Sequence, residues 1–162
     1  MQIKLWLPLI IAGTFIGCAS VPKADLGSAS QTKQLTAPTD GNARIYVYRS
    51  NSIVGGAIKK DIWIDGECLA ESARGVFFYK DVQGNKEHVI STESEFSPNH
   101  LKLQTESGQQ YYIQQYIKPG VLVGGANLKQ VDRSVGEKAV TEYQLALSGK
   151  CSKPTISLGD EK

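Results

Sequence analysis

Apolar and polar positions divide this chain into stretches of different rhythm. Leu5 to Gly17 is apolar or small throughout. Ala19 to Asn42 is rich in Ser, Ala, Thr, Pro, Gln and Lys, has no apolar period, and reads as a flexible tether. From Ala43 the dominant period is two. Ala43 to Arg49 alternates and is β-branched or aromatic, the mark of a half-buried strand. Asp61 to Ile64 is a second strand, stopped by the hairpin pair Asp65-Gly66, with Glu67 to Ala70 as its return. Val76 to Val82, Glu87 to Thr92, Leu101 to Gln104 and Gln110 to Ile117 follow, separated by Gly84-Asn85, Ser97-Pro98-Asn99 and Ser107-Gly108, and Pro119-Gly120 closes the last of them. Only Val135 to Glu142, centred on Glu137-Lys138-Ala139, has helix-forming composition, and Tyr143 to Leu147 suits a final strand. The prediction is an all-β domain over 43–150, mainly an antiparallel sandwich with one short helix near the C-terminus, then a tail over 151–162.

The first apolar run decides where such a domain would work. It follows a start with one positive charge, Lys4, and ends in Phe15-Ile16-Gly17-Cys18. About a dozen apolar residues fall short of the roughly 20 that span a bilayer but fit an export signal. A small residue directly before a cysteine resembles a bacterial lipoprotein signal over 1–17, cut so that Cys18 carries lipid. Phe15 stands where such signals usually have Leu, and plain secretion or an uncleaved anchor are the alternatives. Ala19 follows the cysteine where an Asp would favour the inner membrane, so the expectation is the outer membrane, periplasmic side. The formal charge of +2 gives no support to nucleic-acid binding. The expected partners are the membrane, through the lipid, and another envelope protein.

Two cysteines remain, Cys68 and Cys151. An oxidising compartment favours a bridge between them, with two free thiols as the alternative. Closing so long a loop would stabilise the fold by about 4–5 kcal/mol in the chain-entropy picture.

Chemistry-bearing patterns are sparse. The sequence has no Gly-x-Ser-x-Gly elbow and no phosphate loop. His88 and His100 are too few for a metal set, and His88 is expected at a solvent edge. No cofactor, metal or catalytic residue is expected. Glu93 and Glu95, two apart on a strand, would share one face and are the candidate polar site, with a solvated acidic edge as the plainer reading. Tyr46 and Tyr48 oppose Ile45 and Val47, and Tyr112 and Tyr116 oppose Ile113 and Ile117. These four tyrosines form either an outward partner-binding face or a face covered by the helix or a loop. Val54-Gly55-Gly56-Ala57 recurs as Val123-Gly124-Gly125-Ala126. Two Gly-rich loops, or one shared surface where backbone approaches a partner, would each account for the echo.

The stretch from Ile62 to Ser91, with Asp65-Gly66, Gly75, Gly84 and His88, resembles the small β-sandwich domains named for a Pro-Glu-Gly-Ala motif, although that motif itself is missing. Lys60-Asp61-Ile62, Phe77-Phe78, Ser91 to Asn99, Tyr116-Ile117-Lys118 and Val123 to Ala126 resemble the bacterial lipoprotein family called domain of unknown function 2846. That likeness runs from about Ala43 to Leu147 and implies a periplasmic β-rich fold, with no established activity or site residues. The combined expectation is a non-enzymatic outer-membrane lipoprotein that binds an envelope component. The alternatives are a lipid-anchored enzyme or small-ligand binder using Glu93 to Asn99, and a purely structural accessory subunit.

Overall fold

The structure, a computed structural model, describes residues 19–158, and the export signal and Cys18 lie outside the described residues. Two sheets face each other. The first has strands β1 (Asn42–Arg49), β4 (Val76–Gln83), β7 (Gln110–Lys118), β8 (Gly125–Val131) and β9 (Gln144–Leu145), in the order β8-β7-β1-β4-β9. The second has β2 (Lys60–Ile64), β3 (Glu67–Ser72), β5 (Glu87–Thr92) and β6 (Asn99–Gln104), in the order β3-β2-β5-β6. Pairing is antiparallel except β1 with β7 and β4 with β9. Because β1 and β7 run parallel, both deliver their following loops to the same end of the sandwich.

Alternation decides what lies between the sheets. Ala43, Ile45 and Val47 of β1 meet Ile62, Ile64, Leu69, Ile90 and Ile113 in one buried cluster. Burial of this kind is worth about 25 cal/mol per Å² of apolar surface. The interior is polar at one end, where Gln115 accepts from Ser72 Oγ (2.6 Å) and donates to Thr92 Oγ1 (2.7 Å), joining the two sheets side chain to side chain. Asp65 and Gly66 both have positive φ, as the tight turn between β2 and β3 requires.

The outer face of the first sheet is covered, and the C-terminal tail covers the part of the second around Trp63, leaving His100 and Lys102 of β6 exposed. Helix α2 (Arg133–Glu142) lies over the first sheet, so closely that a Cβ on Gly136 would sit 2.1 Å from Tyr112 Cγ. Helix α1 (Leu26–Thr32), whose N-terminus is capped by Asp25, sits beside β9. The stretch 18–42 is therefore not a structureless tether in its described part. Val21 is buried in the core, Lys23 bridges to Ala146, and Ala24 N donates to Leu145 O. Hydrophobic anchoring by single residues replaces the missing apolar period. The C-terminal tail is likewise part of the domain as far as it is described. Cys151 is bonded to Cys68 with their Cα atoms 5.9 Å apart, and Lys153 O accepts from Trp63 Nε1. Pro154 O accepts from Cys68 N, and Asp61 accepts from Ser152. Strand β8 lies outside the strands that the sequence pattern predicts: Gly, Asn, Lys and Gln give it poor strand propensity, and only Ala126 and Leu128 point inward on its ladder with β7.

Candidate functional site

Three of the four candidate tyrosines are buried and do not form an outward patch. Tyr46, Tyr48 and Tyr112 are buried in a second cluster with Phe77, Val140 and Leu145. Tyr46 and Tyr112 stack with ring centroids 5.1 Å apart and planes 4° from parallel. Burial pushes the Tyr112 phenol up to about 12, and its hydroxyl donates to Gln110 Oε1. Tyr116, beyond the reach of α2, is half-buried with Lys129 Nζ 5.8 Å from its ring centroid. Covering by α2 is the physical reason: an amphipathic helix needs an apolar face to lie on, and these rings supply it.

Glu93 and Glu95 also have other work. They lie past the end of β5, in the β5–β6 loop, not on a strand. Glu93 Oε2 accepts from Asp61 N at 3.1 Å. Glu95 accepts from three successive main-chain N–H groups, those of Val121 (2.7 Å), Leu122 and Val123 (3.2 Å). Those donors, Val121 first and then Leu122, hold its carboxyl below the ordinary carboxylate range. Both carboxylates are thus engaged by main-chain N–H groups, and no cluster of metal-ligating side chains occurs among the described residues. His88 is buried, not at a solvent edge. Its Nδ1 lies 2.6 Å from Asp65 Oδ2 and its Nε2 lies 2.8 Å from Gln83 O, so it pins the Asp65 turn to the first sheet.

What the fold leaves open is one end of the sandwich. Three long loops meet there, beside the short β3–β4 turn (73–75): β1–β2 (50–59), β5–β6 (93–98) and β7–β8 (119–124). Arg49, buried at the end of β1, donates to the carbonyls of Ile58 (2.7 Å) and Gly55 and so grips the first loop. Burial lowers its pKa, and the carbonyl oxygens compensate part of the cost of a desolvated cation. Glu95 grips the third loop in the opposite sense, an anion on N–H groups. Two glycines let the loops close on each other. A Cβ at Gly55 would lie 2.6 Å from Ile117 Cγ1, and one at Gly124 would lie 2.8 Å from Ile58 Cδ1. The two Val-Gly-Gly-Ala segments thus converge on Ile117. They are Gly-rich loops, the second running into β8, and together they build one surface.

That surface is apolar. Ile53, Val54, Phe96, Val121, Leu122 and Val123 are each more than half exposed. A shallow groove of about 410 Å³ runs between Phe96 and Val121 along Lys118. A cavity of about 240 Å³ beside Arg49, Gln114 and Val54 is below the 300–1,000 Å³ usual for small-ligand pockets. The geometry suits contact with a surface better than enclosure of a small molecule. Sequence reasoning missed these residues because they lie in Gly- and Pro-marked loops with no period. The available signal was their type: Pro119-Gly120 followed by Val121-Leu122-Val123 is an apolar run where a turn should be polar.

An all-β domain with a helix-covered sheet and a bare apolar loop end is the class of protein that fold and site define. Residues 39–126 match the family described as "Protein of unknown function (DUF2846)", and the chain belongs to that family. It is also 49% identical over 131 residues, covering 81% of this chain and 77% of the other, to a protein of Haemophilus influenzae named "Uncharacterized protein".

Proposed function

We propose that this is a lipid-anchored, periplasm-facing protein of the outer membrane, acylated at Cys18, with no catalytic role, whose three-loop apolar end binds another envelope protein. The observation that carries the binding half is the set of exposed apolar tips on loops gripped from behind by Arg49 and Glu95. Large exposed apolar patches on soluble domains mark interaction sites, and pre-ordered loops lose less entropy on binding. The anchoring half rests on the signal ending in Gly17-Cys18. No described helix is long and apolar enough to cross a membrane. The segment from Glu93 to Asn99 enters this reading as scaffold and rim, with Glu95 behind and Phe96 in front.

The test is site-specific photo-crosslinking in intact cells. A crosslinker at Leu122 or Ile53 should give a discrete adduct that Val121→Asp abolishes. The same group at Gln130, on the far end of β8, should give none. Indistinguishable patterns from all three positions would defeat the binding half. Unimpaired maturation and membrane fractionation of Cys18→Ser would defeat the anchoring half.

A further inference from the structure

The chain has almost no slack between the acylation site and the folded domain. Ala19 and Ser20 alone separate Cys18 from Val21, which is buried in the core. Three residue steps reach at most about 10–11 Å when fully extended. After Val21 the chain is fixed at once: Leu147 N donates to Pro22 O and Ala24 N to Leu145 O, each at 2.9 Å. An acylated Cys18 therefore holds the β9 side of the sandwich within about that reach of the headgroups, whose layer is itself several ångströms deep.

We infer that the edge of the sandwich formed by Pro22, Lys23, Leu147 and Lys150 lies against an anionic lipid surface and that the loop tips Phe96 and Val121 to Val123 stand at the opposite edge, away from it. This rests on the reading of Cys18 as acylated. The four residues are exposed and surround the point where the chain enters the core, beside a small cleft lined by Val21, Glu71 and Ser148. Pro22 and Leu147 are apolar and suit the boundary of the acyl region, and Lys23 and Lys150 suit lipid phosphates. Of the acids nearby, Glu71 is paired with Lys59 (3.1 Å), Asp25 caps α1, and Glu142 shares with Lys23 a cleft that Asn51 of the β1–β2 loop and Arg74 also line.

Sheet order sets the distance to the other end. β9 and β8 are the two edges of the five-stranded sheet, four strand spacings apart. At about 4.8 Å per spacing, β8 stands roughly 19 Å from the bilayer-facing edge. β6 stands with β8, since Asn99 Nδ2 donates to Ala126 O at 2.6 Å, whereas β3 stands with the entry edge through Glu71 N to Lys150 O. Both loops that carry Phe96 and Val121 to Val123 therefore lie at the far edge, where they meet a periplasmic partner and not the lipid that holds the domain.

The test uses the mature acylated protein in vesicles of phosphatidylethanolamine and phosphatidylglycerol with headgroup-quencher lipid. A fluorophore is placed at Leu147→Cys, at Pro22→Cys as a second reporter of the same edge, and at Leu122→Cys. Several-fold stronger quenching at 147 and 22 than at 122 is expected, and a flexible Gly/Ser insert after Ser20 should remove the difference. Equal quenching, or stronger quenching at 122, overturns the orientation while leaving acylation intact. A mature chain whose mass carries no lipid overturns the acylation reading itself, and the orientation with it.

Discussion

The outer faces of the two sheets and the loop end of the same sandwich are treated in opposite ways. The first face carries a tyrosine cluster, Tyr46, Tyr48 and Tyr112, under α2 and α1, and the second carries one large aromatic, Trp63, under the C-terminal tail. The loop end carries aliphatic side chains and one phenylalanine, and nothing among the described residues seals it. Aromatic content alone is therefore a poor guide to a binding surface. Tyr is enriched at interfaces because it is large and has a polar tip, and the same properties make it a good seat for a helix.

The contrast is sharpest where a seal is removed. Replacing Cys68 and Cys151 with Ala should release the tail from the second sheet and cost about 4–5 kcal/mol, read as a lower denaturation midpoint. Tyr112→Ala should cost about 3–5 kcal/mol by emptying the stack under α2. A loss under 0.5 kcal/mol would return Tyr112 to the list of surface residues. Gly136→Ala should cost about 1–3 kcal/mol, because the new methyl group meets the Tyr112 ring. Val121→Asp with Leu122→Asp should shift stability by no more than about 0.5 kcal/mol while abolishing partner capture, and a large drop in melting temperature would show that the tips are structural.

The smallest effect expected is a pH dependence confined to the third loop. Glu95 has its folded-state pKa depressed by the N–H groups it accepts from. Its contribution is thus present above the ordinary value of 4.5 and is lost as the pH falls through the depressed one. Amide exchange at Val121, Leu122 and Val123 should quicken in acid before the rest of β7 and β8 responds. Glu95→Gln should remove that dependence.

The sandwich was legible because its inward positions alternate. β1, β4, β5 and β7 fall within a residue of their predicted limits, and the Asp65-Gly66 turn and α2 are where composition puts them. β8 was not legible because an edge strand built on Gly125, Asn127 and Lys129 takes its conformation from its neighbour, not from its own propensities. The anchoring of Val21 was hidden for a related reason: one buried residue leaves no period. Tyr46 and Tyr112 were correctly assigned to the face opposite Ile45 and Ile113, but alternation says nothing about what covers a face. The roles of Glu93 and Glu95 depended on N–H groups that only the folded loops bring into reach.

Arg49 and Glu95 both hold their loops by hydrogen bonds to main-chain atoms, and none of those bonds goes to a tip side chain. The identities of Ile53, Val54, Val121 and Leu122 are therefore uncoupled from the shape of the loops that display them. Residues at these positions can be exchanged by drift or by a library without disturbing the frame. The domain is in that respect a display scaffold, in which the recognised target can change while the architecture underneath stays constant.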